Sequence, residues 1–301
     1  MTTLLDTILL FSLPASGKSE TRTFLSTLSP DQCQNDFGMG PTLQLDDWTW
    51  AVLIELLNED YAQLRAGRQT QVADAAEHLF DRLDAAHLKV GMHDVMGDVP
   101  HRIRRRVAQA IQTDARHELD LLNRTCGQDP TGKTIVIEAA RGGANGSAFP
   151  LIPPYGYATA FQHLDPAILE RASVLYVWVD PAESRRKNIE RGLPGPEGQA
   201  SILNHSVPME VMLGQYGCDD MGYLLEQSDR PGCIRADRIV IEDGLYKTRS
   251  FYLPAARFDN RKDLTSFIRK PQAQWQPTEI RAMYDGLRSA FDTLRQAQGV
   301  R

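Results

Sequence analysis

The sequence predicts an α/β fold, a parallel central sheet flanked by helices. Two observations carry this. Apolar runs of strand length, at residues 7–11, 42–45, 134–137 and 173–179, alternate with long segments of helical periodicity. Each run after the first also ends on carboxylates, at Asp46-Asp47, Glu138 and Asp180. In an open α/β sheet the carboxyl ends of the strands are where ligands bind, so polar residues gather there.

The first run, Thr7 to Phe11, reads as a buried parallel strand. It feeds Ser12-Leu13-Pro14-Ala15-Ser16-Gly17-Lys18-Ser19, a small-residue turn that opens a helix. Strand, turn and helix in this order are the context of a phosphate-binding loop. Backbone N–H groups of such a loop wrap an anionic phosphate, and the positive end of the helix dipole adds attraction. Lys18 would reach the β- and γ-phosphates, and the Ser19 hydroxyl would complete the shell of a Mg²⁺ ion. Against the pattern G-x-x-x-x-G-K-[ST], Ser12 stands where the first glycine is expected. If that position needs φ > 0, serine tolerates it less well than glycine.

Residues 20–28 continue the helix, and Ser29-Pro30 is expected to end it, with 31–41 as a loop. The run at 42–45 is the second strand. Residues 49–125 read as a helical insertion, too long for a simple crossover, with inward faces that include Phe80, Leu88, Ile103 and Val107. The run at 134–137 is a central strand. The long loop from Ala139 to Tyr157, rich in Gly, Pro and Tyr, reads as an ordered binding loop. A further buried strand at 173–179 leads through Asp180-Pro181 into an arginine-rich helix, and residues 192–200 carry several Gly and Pro breakers. Residues 205–233 give no clear pattern. Residues 238–253 read as a β-hairpin about Asp243-Gly244, residues 255–260 as a last core strand, and Pro277 opens a closing helix. The chain of 301 residues reads as one domain carrying its insertion.

The net charge of −6 argues against a dedicated nucleic-acid binder. Four scattered cysteines with no C-x-x-C pair point to reduced thiols and a cytoplasmic setting. The apolar start is too short for a membrane span, and the seven histidines show no zinc-ligand spacing. The basic run His101–Arg106 is expected to be a solvated helix face paired with nearby acids.

The order of phosphate loop, strand with Asp-Asp-aromatic, strand with Glu, then strand, Asp-Pro and arginine helix resembles the P-loop kinase superfamily that phosphorylates small molecules. Uridine kinase, gluconate kinase and zeta-toxin-type kinases are the nearest likenesses. The resemblance covers roughly residues 5–48, 133–143, 173–192 and 255–260. It implies a P-loop NTPase fold that binds ATP (or GTP) with Mg²⁺. Nucleotide contacts would come from Pro14, Ala15, Ser16, Gly17, Lys18, Ser19, Arg185 and Asn260. Ser19, Asp46 and Glu138 would order the metal. Asp46 or Asp47 would accept the proton of the attacking hydroxyl. Arg185, Arg186 and Arg191 resemble lid arginines that neutralise phosphate charge, with Arg186 and Arg191 as catalytic candidates.

The expected activity is transfer of the γ-phosphoryl group to a small-molecule hydroxyl or similar acceptor. Its partners are then a nucleoside triphosphate and that acceptor. The acceptor pocket is expected between the helical insertion and the loop 141–157, with Arg141 and Tyr155 as contacts. Rival readings are a nucleotide-hydrolysing switch or assembly protein, and a nucleic-acid-end or toxin-type kinase served by the basic run.

Overall fold

The computed structural model describes residues 4–46, 54–192 and 206–298. Asp47, the Asp46 side chain and the breaker-rich stretch 193–200 lie outside the described residues.

β1 (Thr7–Phe11) is buried along its whole length and lies inside a six-stranded sheet. The others are β2 (Thr42–Asp46), β3 (Thr134–Ala139), β4 (Ala172–Trp178), β5 (Cys233–Glu242) and β6 (Leu245–Asp259). The order is β2-β3-β1-β4-β6-β5, parallel throughout except for β5, which pairs antiparallel with β6 at the edge.

Both faces of the sheet are covered, which is why its central strands read as unbroken apolar runs. Side chains alternate between the faces. Leu9, Phe11, Ile137 and Val174 pack on one side with Tyr157 and Phe161 of α6 (Gly156–His163) and Ile168 of α7 (Pro166–Leu169). Ile8, Leu10, Val136 and Leu175 pack on the other with Phe24 of α1 (Lys18–Ser26) and Leu287 and Phe291 of α11 (Pro277–Gln298).

Two expectations are corrected. Residues 31–41 are not a loop, because Ser29-Pro30 starts a helix, α2 (Pro30–Phe37). The Ser29 side chain accepts from Gln32 N, and the Gln32 side chain returns to Ser29 N, with proline at the first helical position. That capping box outweighs the stop signal carried by proline. The hairpin arm and the last core strand are also one strand. β6 turns back from Asp243-Gly244 along β5, then continues to pair parallel with β4 from Ala255 to Asp259.

The insertion consists of α3 (Ile54–Arg65), α4 (Ala75–Lys89) and α5 (His101–Cys126). Ala76, Phe80 and Ala108 form the seam between α4 and α5. Arg104 joins it with bonds to Glu77 (2.8 Å), Asp81 (2.7 Å) and Asp84 (3.1 Å). The basic run thus spends its central residue on the insertion itself. Leu88, Ile103 and Val107 follow the helical period but stay exposed, since the seam takes only one stripe of each helix. Among the described residues, no helix is long and apolar enough to cross a membrane.

Candidate functional site

The carboxyl end of β1 opens directly into the Ser12–Gly17 turn. Ser12 does not adopt a left-handed conformation. Within the turn only Ala15 (φ 54°) and Gly17 (φ 99°) do. The missing first glycine is therefore not demanded by the backbone, and the Ser12 side chain is used instead. Its hydroxyl donates to Leu13 O at 2.8 Å, touches the Ser16 hydroxyl and accepts from Lys18 Nζ at 2.9 Å. Lys18 Nζ also donates to Leu13 O (3.0 Å) and Ser12 O (3.3 Å), and the residue is only 7% exposed. Gly17 is needed twice over. Beyond its positive φ, a Cβ there would stand 2.3 Å from Thr265 Oγ1 and 2.6 Å from Asn260 Nδ2. No side chain caps the first turn of α1, so its leading amides lack a side-chain acceptor.

The turn is braced from three sides. The buried Tyr157 stacks on Phe11 and donates its hydroxyl to Ser12 O (2.9 Å). Ser184 of α8 (Pro181–Arg191) donates to Pro14 O (2.7 Å). Asn260, at the end of β6, donates to Ser16 O (2.7 Å) while its carbonyl accepts from Leu264 N (2.7 Å). Asn260 thus meets the loop through the backbone of Ser16. Helix α8 is fixed in turn by Lys187, buried and paired with Asp263 at 2.8 Å, and by Asn188, which exchanges two bonds with the Val207 backbone just before α9 (Met209–Gln215).

Next to the turn lies an oxygen pair. Ser19 Oγ donates to Glu138 Oε1 (3.0 Å). Glu138 Oε2 is buried without a hydrogen bond and forms an ion pair with the Arg22 guanidinium at 3.4 Å. Glu138 thus pairs with Arg22 of α1. Asp46 stands opposite Glu138 in the β2–β3 register, so the backbone brings both acidic positions to the same sheet edge. Among the described residues no three His, Cys, Asp or Glu gather as a metal site. A hydroxyl and a carboxylate suit Mg²⁺, which takes few protein ligands and keeps water and phosphate oxygens in its shell.

Two acids beside these elements carry no motif in the sequence. Asp219 and Asp220 precede α10 (Met221–Gln227), in the stretch that showed no pattern. Asp220 is fully buried and caps the start of α6, accepting from Tyr157 N (2.6 Å) and Ala158 N (3.1 Å). Asp219 accepts from Tyr176 OH (2.7 Å) and Met221 N (3.0 Å). Burial pushes its carboxyl up to about 6, while the Lys18 ammonium is among the groups that pull it back. An Asp-Asp pair just before an apolar helical stretch, as at Asp46-Asp47, was the signal available.

The arginines separate. Arg186 lies on the exposed side of α8, tied to Glu183 at 2.6 and 2.7 Å and to Glu190. Arg185 is half-buried with its Nη1 enclosed and lacking a hydrogen bond, and Arg191 ends the helix. Arg141 is 5% exposed, donates to Ala140 O (2.8 Å) and faces a small cavity with Phe11, Ile54 and Leu57. Tyr155 is instead at the surface, 38% exposed, just before α6.

A cleft of about 810 Å³ separates the insertion from the core. Arg22 of α1, Gln44 of β2, Asp60 of α3, Arg82 of α4 and Leu119 and Leu122 of α5 line it. The loop 141–157 does not. Asp60 is 7% exposed and accepts from Arg82 Nη2 at 2.6 Å. Burial pushes its carboxyl up to about 6 against the pull of that guanidinium.

No protein-family model matches this sequence, and neither the curated proteins nor the solved structures contain a significant match.

Proposed function

We propose that this protein is a P-loop phosphotransferase that moves the γ-phosphoryl group of ATP or GTP to a hydroxyl of a small molecule. The observation that carries the reading is the turn itself. A buried lysine ammonium, an uncapped helix start and a Ser–Glu oxygen pair meet at the carboxyl edge of a parallel sheet. An anion placed on the α1 amides would meet the helix dipole and Lys18 together. Lys18 now gives its donors to loop oxygens, and phosphate oxygens are the stronger acceptors for a charged donor. Asp219 supplies the buried lysine with a counter-charge before nucleotide arrives.

Mg²⁺ held by Ser19 and Glu138 would neutralise charge on the β- and γ-phosphates. Asp46 or Asp47 takes the proton of the acceptor hydroxyl as its oxygen bonds to the γ-phosphorus and the bond to the nucleoside diphosphate breaks. Arg185, whose enclosed Nη1 lacks a hydrogen bond, is the α8 arginine best suited to approach the phosphates, because Arg186 is held by Glu183 and Glu190. The acceptor enters from the cleft, whose Arg22 joins it to Glu138 and Ser19.

The test is incubation with γ-labelled ATP, Mg²⁺ and a metabolite extract. Label should appear on an organic phosphate with the native protein and vanish with Lys18→Ala. With Asp46→Asn or Asp47→Asn, transfer should fall by a factor on the order of 10²–10⁴ for the residue that acts as base. Label appearing only as free phosphate would overturn phosphoryl transfer and favour a nucleotide-hydrolysing switch.

A further inference from the structure

We propose that the outer edge of β5 pairs with the same edge of a second copy of this chain, antiparallel about a two-fold axis at Val240.

β5 and β6 run on past the body of the protein as a two-stranded arm, and residues 241–250 are all exposed. β6 pairs with one side of β5. β5 ends the strand order, so among the described residues no strand lies on its other side. The arm is nevertheless apolar. Ile239 and Ile241 are each 68% exposed, and Tyr246 is 81% exposed. These three share one face, since Ile241 stands opposite Tyr246 in the register and side chains alternate along a strand. A free edge of this kind, with no proline or lysine in β5 to block it, is a template for another strand. A hairpin standing alone is only marginally stable, and a further strand strengthens it.

The charge pattern selects the occupant. When two identical strands pair antiparallel about a two-fold axis, one residue faces its own copy. Residues at equal distances on either side of it then face each other. With Val240 on the axis, Arg238 faces Glu242 of the second copy, and Glu242 faces its Arg238. On the other face of the strand, Ile239 meets Ile241 and Ile241 meets Ile239. From 238 to 242 every charge meets its opposite and every apolar side chain meets another, the pairings that stabilise a sheet. Neighbouring centres fail. An axis at Asp237 or Arg238 sets like charges together, one at Ile239 sets Asp237 against Ile241, and one at Ile241 sets Val240 against Glu242. Arg238 keeps its hold on the body through Nη1, which donates to Gln162 O (3.1 Å) and Leu164 O, so Nε and Nη2 face no protein acceptor among the described residues. Asp237 comes opposite the turn residue Asp243 of the second copy, but it is already answered by Arg235 at 3.0 Å and by the Ser250 hydroxyl at 2.6 Å.

The experiment is sedimentation equilibrium of the full chain without nucleotide, over roughly 1–100 μM, the range of a modest dimer. The native chain should dimerise. Glu242→Arg sets arginine against arginine at both ends of the paired segment and should weaken the dimer by roughly 10-fold. Glu242 is exposed, and an unchanged melting temperature confirms that the variant is folded. The register is read separately with Val240→Cys. Residues facing each other across an antiparallel pair are within disulfide reach, so mild oxidation should link two copies at this position. Thr248→Cys, on the exposed arm but one strand away from the axis, should not link, and the native chain with its own four cysteines is the control. A native chain that stays monomeric, a Glu242→Arg dimer as tight as the native one, or linking at Thr248→Cys as fast as at Val240→Cys would each overturn the proposal. Since nucleotide is absent, these outcomes are independent of whether phosphoryl transfer is found.

Discussion

Around Ser12–Gly17 the polar side chains are answered from within the protein, whereas the cleft beside α5 leaves several of its own unanswered. Lys18 donates to three oxygens of its own turn, and Tyr157, Ser184 and Asn260 hold that turn from three elements distant in sequence. In the cleft, Gln44 Oε1 has no donor and Asp114 and Glu118 have no cation among the described residues. The first arrangement is set before any ligand comes, so little ordering cost falls on binding. Under the proposed function the turn would receive a constant group, the triphosphate, and the cleft a particular small molecule.

The sharpest way to break the contrast is Gly17→Ala. Its methyl group would meet Thr265 and Asn260 at a backbone angle alanine rarely adopts. The expected cost is about 2–4 kcal/mol, read from denaturant unfolding. A loss under about 1 kcal/mol would mean that the turn yields easily and is not braced in advance.

A smaller effect is expected from Asp219→Asn. The folded carboxyl is held up at about 6, above the ordinary aspartate value of 3.8. Between about pH 4 and pH 6 the unfolded chain has released this proton while the folded chain retains it, so native stability falls as pH rises through that window. The asparagine variant lacks the term. It should gain on the native protein by about 2–3 kcal/mol from pH 4 to pH 7 and then run level. A difference that does not vary with pH would remove Asp219 from the buried surroundings of Lys18.

The two regions also differ in how much of them the sequence shows. The turn announces itself because strand, turn and helix are contiguous in sequence, and the apolar runs of β1, β3 and β4 mark a sheet covered on both faces. The use of Ser12 was hidden, since it depends on the side chain turning inward to Lys18 and Ser16. The start of α2 was written in Ser29-Pro30-Asp31-Gln32 but was read as a stop. Asp219 reaches Lys18 and Tyr176 only through long-range packing, so its short local signal carried little weight. The cleft has no contiguous signature, because its walls come from α1, β2 and all three helices of the insertion. Leu88 and Ile103 share the helical period of the buried positions yet lie outside the seam. Periodicity marks a face without saying what covers it.

The central claim is that Lys18 and the turn before α1 hold a nucleoside triphosphate. Calorimetric titration of Mg²⁺·ATP, with GTP in a parallel run, into the native protein and Lys18→Ala tests it most directly, with far-UV circular dichroism to show that both are folded. The account predicts saturable binding by the native protein and a loss of at least about 100-fold in the variant, as expected when a charged donor to phosphate is removed from a buried site. Equal affinities in the two proteins, or no binding of either nucleotide by the native protein, would contradict it.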